Sequence, residues 1–411
     1  MKKLLGVTLG IMTALGGFVD LGQIVFTLQA GASFRYTLLW PIVLGTAAII
    51  VYMEMCGRVA VVAKEPVFAV VRDRLGRRLG LLVLIASNLL NLITCAAELG
   101  GIAIILHLLT GLQEKWLLPA SSLILGTVVA LLRFQWIERI FGLAGITMAA
   151  SAVAAVMLHP DWVALSHGLL PRLSLGGARQ SQRYWYFAVG IFSAMLMEYE
   201  VHFYSSGALE EDWTQKDLPE NFMVASFGSV LGALLTVALL AIGALVFFPR
   251  GAFPESLEAS VSAIATPFGR AGLLTVLLGT LACLAGAAVE TMLSGAYNLC
   301  QFYNFSWGKN QKARDVPVFA ISWIASLCLA AILALISVDP LQLVNISVIF
   351  GMVVMPLTYF PILRAAMDRG VMGKHTNSPA DTAIGILFLV LITAAALAAI
   401  PLMLATDSGR P

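Results

Sequence analysis

Runs of eighteen or more largely apolar residues recur along the whole of this chain, each long enough to cross about 30 Å of hydrocarbon. Hydrophobic residues make up 59% of the 411 and charged residues only 12%, with a mean hydropathy of +0.90, far from a soluble domain. The reading is a polytopic, all-α integral membrane protein whose surroundings are a lipid bilayer. A net charge of +2 carries no nucleic-acid signature. The five cysteines (Cys56, Cys95, Cys283, Cys300, Cys328) form no CxxC pair and read as small membrane-embedded residues, not a disulfide framework. No cleavable signal peptide is evident. No nucleotide-binding glycine loop or nucleophile–base pair stands outside the membrane, so an enzyme is not expected.

Eleven spans are expected, at about 4–32, 36–62, 79–110, 116–132, 137–158, 184–208, 220–248, 270–302, 316–337, 340–365 and 380–405. With the N-terminus cytoplasmic, seventeen basic residues fall on the inner side and eight on the outer, which favours N-in, C-out. The densest basic patch alternates with apolar residues from Val67 to Leu79 and reads as a short amphipathic helix on the inner leaflet. Glu54 is expected near the inner end of the second span, anchoring a loop through Arg58. The short loops and N-terminal lysines suit a bacterial inner membrane.

Two spans are interrupted by polar residues. The first carries Phe18-Val19-Asp20-Leu21-Gly22-Gln23, the sixth Ala194-Met195-Leu196-Met197-Glu198-Tyr199-Glu200. An ionised carboxylate at mid-membrane costs roughly 3 kcal/mol even on forgiving insertion scales, so such breaks point to a cationic ligand. Breaks in spans one and six are expected if residues 4–158 and 184–365 are related five-helix repeats, followed by an additional helix at 380–405. Transporters built in that way hold substrate at the midplane between half-helices.

Gln29-Ala30-Gly31-Ala32-Ser33-Phe34-Arg35-Tyr36-Thr37-Leu38-Leu39-Trp40 closely resembles the segment that follows the first break in the Nramp family of divalent-metal transporters. Asp20-Leu21-Gly22-Gln23 sits where that family has Asp-Pro-Gly-Asn, and Met197-Glu198-Tyr199 falls on its Met-Pro-His. The resemblance covers most of the chain. It implies a LeuT-like inverted repeat of five plus five helices and an eleventh helix, with helices one and six broken at mid-membrane.

It also implies a metal shell. Asp20 supplies an anionic oxygen, Gln23 a neutral amide oxygen, Ala194 a backbone carbonyl freed by the break, and Met197 a thioether. Asn345, in the tenth span, falls near an amide that joins the ion in some states of the family; a plain helix–helix hydrogen bond is the alternative there. A thioether tilts a mixed site toward softer transition metals, whereas calcium and magnesium prefer all-oxygen shells. On spacing alone Met197 reads as adaptable packing, and it is the gapless match to the family motif that makes it a ligand. The resemblance makes Mn2+ or Fe2+ the favoured substrate.

The chain departs from the family pattern at both break prolines, now Leu21 and Glu198. Glu198 is expected to face the cavity as an added metal-site carboxylate, with Glu200 turned to a polar group on a neighbouring helix. The proton route is altered too: Glu98 remains of an Asp-x-x-Glu pair, Cys95 replaces its aspartate, and Tyr199 stands where the family has histidine. Glu98, His202, Glu200 and Glu290 are the remaining candidates for proton passage, and transport without coupled protons competes with it. His202 and Glu290 read equally as hydrogen-bonded packing residues.

Secondary-active transport of Mn2+ or Fe2+ by alternating access is therefore the expected function, with no prosthetic group and a monomer compatible with the sequence. A magnesium or broad divalent-cation carrier without proton coupling is the first alternative, and a non-transporting sensor on the same scaffold the second.

Overall fold

The computed structural model describes residues 19–172, 177–336 and 339–410. These residues form α1 (Leu21–Phe34), α2 (Leu39–Ala63), α3 (Val67–Thr110), α4 (Glu114–Leu131) and α5 (Phe134–Met157). After the loop come α6 (Ala178–Ala194), α7 (Glu198–Glu210), α8 (Leu218–Ile242), α9 (Gly269–Tyr303), α10 (Pro317–Leu335), α11 (Pro340–Ala366) and α12 (Pro379–Ala405). Nine helices among the described residues are long and apolar enough to cross a membrane. The sixth crossing is made instead by two half-length helices, α6 and α7, end to end. Of the first expected span, residues 4–18 lie outside the described residues, and α1 begins at its polar break.

The helices fall into an inner and an outer set. Of the nine membrane-length helices, α11 is the most enclosed by protein and α12 the least. The perimeter helices turn large apolar side chains outward, as Leu123 and Leu131 of α4 and Leu397 and Leu404 of α12 do. That pattern suits hydrocarbon, which asks nothing of a helix except satisfied backbone groups. Inside, α3 packs along both α9 and α11, and α1 lies against α8. The α1–α8 crossing depends on glycine. A Cβ on Gly31 would stand 2.2 Å from the Leu240 carbonyl oxygen, and one on Gly243 2.3 Å from that of Leu28. Close backbone approach through small residues is how membrane helices gain packing energy without a hydrophobic drive.

The basic Val67–Leu79 stretch is helical, as expected, and joins the rest of α3 through a kink at Gly76. Its position differs from the expectation. Val67, Phe68, Val70 and Val71 are buried within the protein, so the apolar face packs on neighbouring helices and not on lipid. Glu54 does anchor a loop. Arg58 holds its carboxylate in a bidentate pair at 2.7 and 2.9 Å and also donates to the His375 carbonyl and the Asn377 amide oxygen, each at 2.7 Å. This fork pins the segment that leads into α12.

Candidate metal centre

The two breaks meet. Asp20 is the N-cap of α1: its Oδ1 accepts the Gln23 backbone N–H at 2.7 Å, satisfying a donor that the helix start leaves free. Glu98 of α3 satisfies another, accepting the Leu21 N–H at 3.1 Å. In the sixth crossing the chain leaves the helix after Ala194, turns through Met195 and Leu196, and re-enters at Glu198. Met197 (φ −57°, ψ 116°) is the hinge residue before α7. No side chain caps that end. Its place is set by α2: a Cβ on Gly45 would lie 2.5 Å from the Met195 Cβ, so the unwound segment rests directly on the glycine.

Gln23 bridges the breaks. Its amide nitrogen donates to the Met195 sulfur at 3.0 Å and to the Thr236 hydroxyl of α8 at 2.9 Å, while its carbonyl oxygen is buried without a hydrogen-bond partner. Tyr199 of α7 donates its hydroxyl to Asp20 Oδ2 at 3.2 Å. Sequence reasoning missed the roles of Met195 and Tyr199. Met195 lies inside the same motif as Met197, and Tyr199 was read only as a lost histidine; neither carries a signal that says which way it points.

The carboxylates are arranged differently from the expectation. Glu200 of α7 and Glu290 of α9 lie close enough to interact electrostatically with each other and with Asp20, and Glu98 interacts with Asp20 in the same way. Glu198 instead faces Ser87 of α3 and lies near Tyr52 of α2. The expected orientation of Glu198 and Glu200 is thus reversed. His202 is fully buried and packs edge-on against Phe68, ring centroids 5.1 Å apart. Asn345 is half-buried and lines a cavity of about 630 Å³ with Gln29, Glu255, Asp339 and Asp407. The α11 residues that reach the first break are Val344 and Val348, which sit over Gly22. In this conformation Asn345 is therefore outside the cluster.

Asp20, Glu98, Glu200 and Glu290 are each at most 1% exposed, and no ion pair among the described residues involves them. Unpaired buried carboxylates are costly, and a cation between them offsets that cost. Among the described residues no group of three or more His, Cys, Asp and Glu side chains converges as a ready metal cage. The groups that do meet at the breaks are of mixed kind: the Asp20 carboxylate, the Gln23 amide, the Met195 thioether and the Tyr199 hydroxyl.

The family model described as "Natural resistance-associated macrophage protein-like" matches residues 10–401. A divalent metal cation transporter, MntH, of Deinococcus radiodurans is 26% identical over 395 residues, covering 92% of this chain and 85% of that protein. Among solved structures, a manganese transporter of Eremococcus coleocola superposes with a TM-score of 0.74 at 19% identity, over 99% of this chain and 92% of the other. Mhp1, a nucleobase-cation symporter in a closed conformation, gives 0.62 at 17% identity, over 98% and 93%. The architecture is thus the LeuT-like one.

Proposed function

The chain belongs to the Nramp family, and we propose that it carries a divalent transition-metal ion, Mn2+ or Fe2+, across a bacterial inner membrane by alternating access. The observation that supports this best is the direct junction of the two breaks, where the Gln23 amide meets the Met195 sulfur beside Asp20. Asp20 supplies the charge that draws the ion in. The Gln23 carbonyl oxygen, free of other partners, the Ala194 main-chain carbonyl and the Met197 thioether complete the inner shell. Asn345 joins from the outer cavity when α11 moves. Val344 and Val348, resting on Gly22, are the barrier between that cavity and the ion, and their withdrawal opens the outward path.

The related repeats of this reading are residues 4–158 and 184–365, with N-in, C-out orientation. Protons, where coupled, pass from Asp20 to Glu98, with Glu200 and Glu290 beside them and His202 further along α7. A magnesium or broad divalent carrier without proton coupling is the second reading. It is favoured by the hard oxygens of Glu200 and Glu290 close to Asp20.

Proteoliposomes containing the purified chain and an internal pH dye test both. Saturable Mn2+ uptake with lumen acidification supports the coupled reading, and Mg2+ uptake without acidification the second. Folded protein that moves neither ion would overturn transport and leave the sensor.

A further inference from the structure

The Gln23 amide is held in one orientation by two neighbours that can only accept. The ends of an amide are alike in shape, and the surroundings decide which end is oxygen. The Thr236 hydroxyl of α8 gives its one proton to the Gly232 carbonyl, a turn back on its own helix, at 2.8 Å. What it presents to the Gln23 nitrogen, 2.9 Å away, is therefore a lone pair. The other neighbour, the Met195 sulfur at 3.0 Å, has no proton to give. Turning the amide over would set its oxygen against that sulfur and strip both N–H donors of these acceptors. Nitrogen thus takes this end, with one N–H for each neighbour. The carbonyl oxygen is left at the other, buried and without a partner.

The two acceptors are themselves fixed. Thr236 is fully buried and tied to its own helix. Met195 is seated on α2: a Cβ on Gly45 would lie 2.5 Å from its Cβ and 3.0 Å from its Cγ, so the stem carrying the sulfur has no room on that side. Gln23 stands where the family pattern has asparagine and is longer by one methylene. The added rotatable bond brings freedom that a ligand must remove on binding, unless the protein has already removed it. The pair of acceptors does so. Native interiors satisfy nearly all buried polar groups, so a carbonyl oxygen left bare beside two satisfied N–H groups is a ligand kept in readiness.

Resting on the transport reading above, we propose that Thr236 and Met195 are positioning residues for the ion: they occupy both N–H donors of Gln23, which repel a cation, and so reserve the free end of its amide for oxygen. The two sit on different elements, α8 and the unwound segment of the sixth crossing. Separation of that segment from α1 removes one acceptor and frees the amide to turn. Affinity then falls at the step where the ion has to leave.

The test measures Mn2+ affinity of the full chain in lipid nanodiscs by calorimetry, with Mn2+ uptake in proteoliposomes beside it. Thr236→Val keeps the shape and removes the acceptor. It should weaken Mn2+ binding about tenfold, the effect of one hydrogen bond left unmade, and raise KM with the maximal rate nearly unchanged. Thr236→Ser, which returns the hydroxyl, should bind within about twofold of wild type. In Gln23→Asn the shorter side chain no longer reaches α8, so adding Thr236→Val should weaken binding no further. A purely structural role for Thr236 would persist in that background. Met195→Leu, paired with Gln23→Asn in the same way, decides the matter if Thr236→Val folds poorly. Undiminished Mn2+ affinity in Thr236→Val, an equal loss in both backgrounds, or failure of serine to restore binding overturns the inference and leaves transport standing. A folded wild-type chain that binds no divalent ion overturns both.

Discussion

The two helix breaks solve one problem by different means. At the first, the half-helix start is held by its own chemistry: Asp20 caps the Gln23 N–H, Glu98 takes the Leu21 N–H, and Tyr199 steadies the other Asp20 oxygen. At the second, no side chain caps α7, and the unwound Met195–Met197 segment is fixed by packing on Gly45 and by the Gln23 contact to Met195. Neither break retains the proline that the family pattern places there. One is therefore governed by charge and the other by shape, and they should fail differently.

Charge gives the largest effect. Asp20→Asn keeps a good N-cap residue but removes the anion, so the protein should fold while Mn2+ uptake falls more than about 100-fold. Wild-type-like uptake by that variant would reduce Asp20 to a structural cap. Next comes shape. Gly45→Val pushes against the Met195 Cβ, and overpacking of about 1–3 kcal/mol should cut uptake about tenfold or more, with metal affinity much less changed. Met197→Ala should weaken Mn2+ and Cd2+ binding by about fivefold and leave Mg2+ competition unchanged, read by calorimetry. Equal losses for every ion would count against thioether ligation.

Two smaller effects lie far from the breaks and serve as controls on them. Arg58→Lys breaks the fork that holds Glu54, His375 and Asn377, and should lower Tm by a few degrees, with uptake nearly intact. At the surface, the Arg74 guanidinium, 2.8 Å away, and the Gly370 N–H hold the Asp368 carboxyl below its usual range. A depressed carboxyl stabilises the fold above its unfolded pKa and loses that contribution as pH falls through the lower folded value. The Tm difference between wild type and Asp368→Asn should thus be level from about pH 8 to 5 and shrink below about pH 4. A difference that grows on acidification would reverse the sign.

How much of this was legible follows from what each signal encodes. The spans were readable because hydrocarbon tolerates little except long apolar runs, and the breaks because Asp20 and Glu198–Glu200 interrupt such runs. The rotation of α7 was not. Its first and third residues point about 200° apart, and tertiary contacts decide which faces Asp20, among them the Ser294 hydroxyl bonded to the Tyr199 carbonyl at 2.8 Å. Asn345 shows the same limit. It sits one residue, about 100° of turn, from Val344, and it is Val344 and Val348 that α11 presents to the first break. The Val67–Leu79 helix was legible as amphipathic, yet composition does not say whether protein or lipid covers its apolar side.

The cap at the head of α1 has one more consequence. An ion that recruits Asp20 Oδ1 competes with the Gln23 N–H already bound there, so occupancy and fraying of that first turn are linked. Losing such a cap costs about 1 kcal/mol. In the transport cycle proposed above this sets a threshold: ions that grip the carboxylate weakly would leave the turn wound, and only strong ligands would loosen it enough to start the next movement.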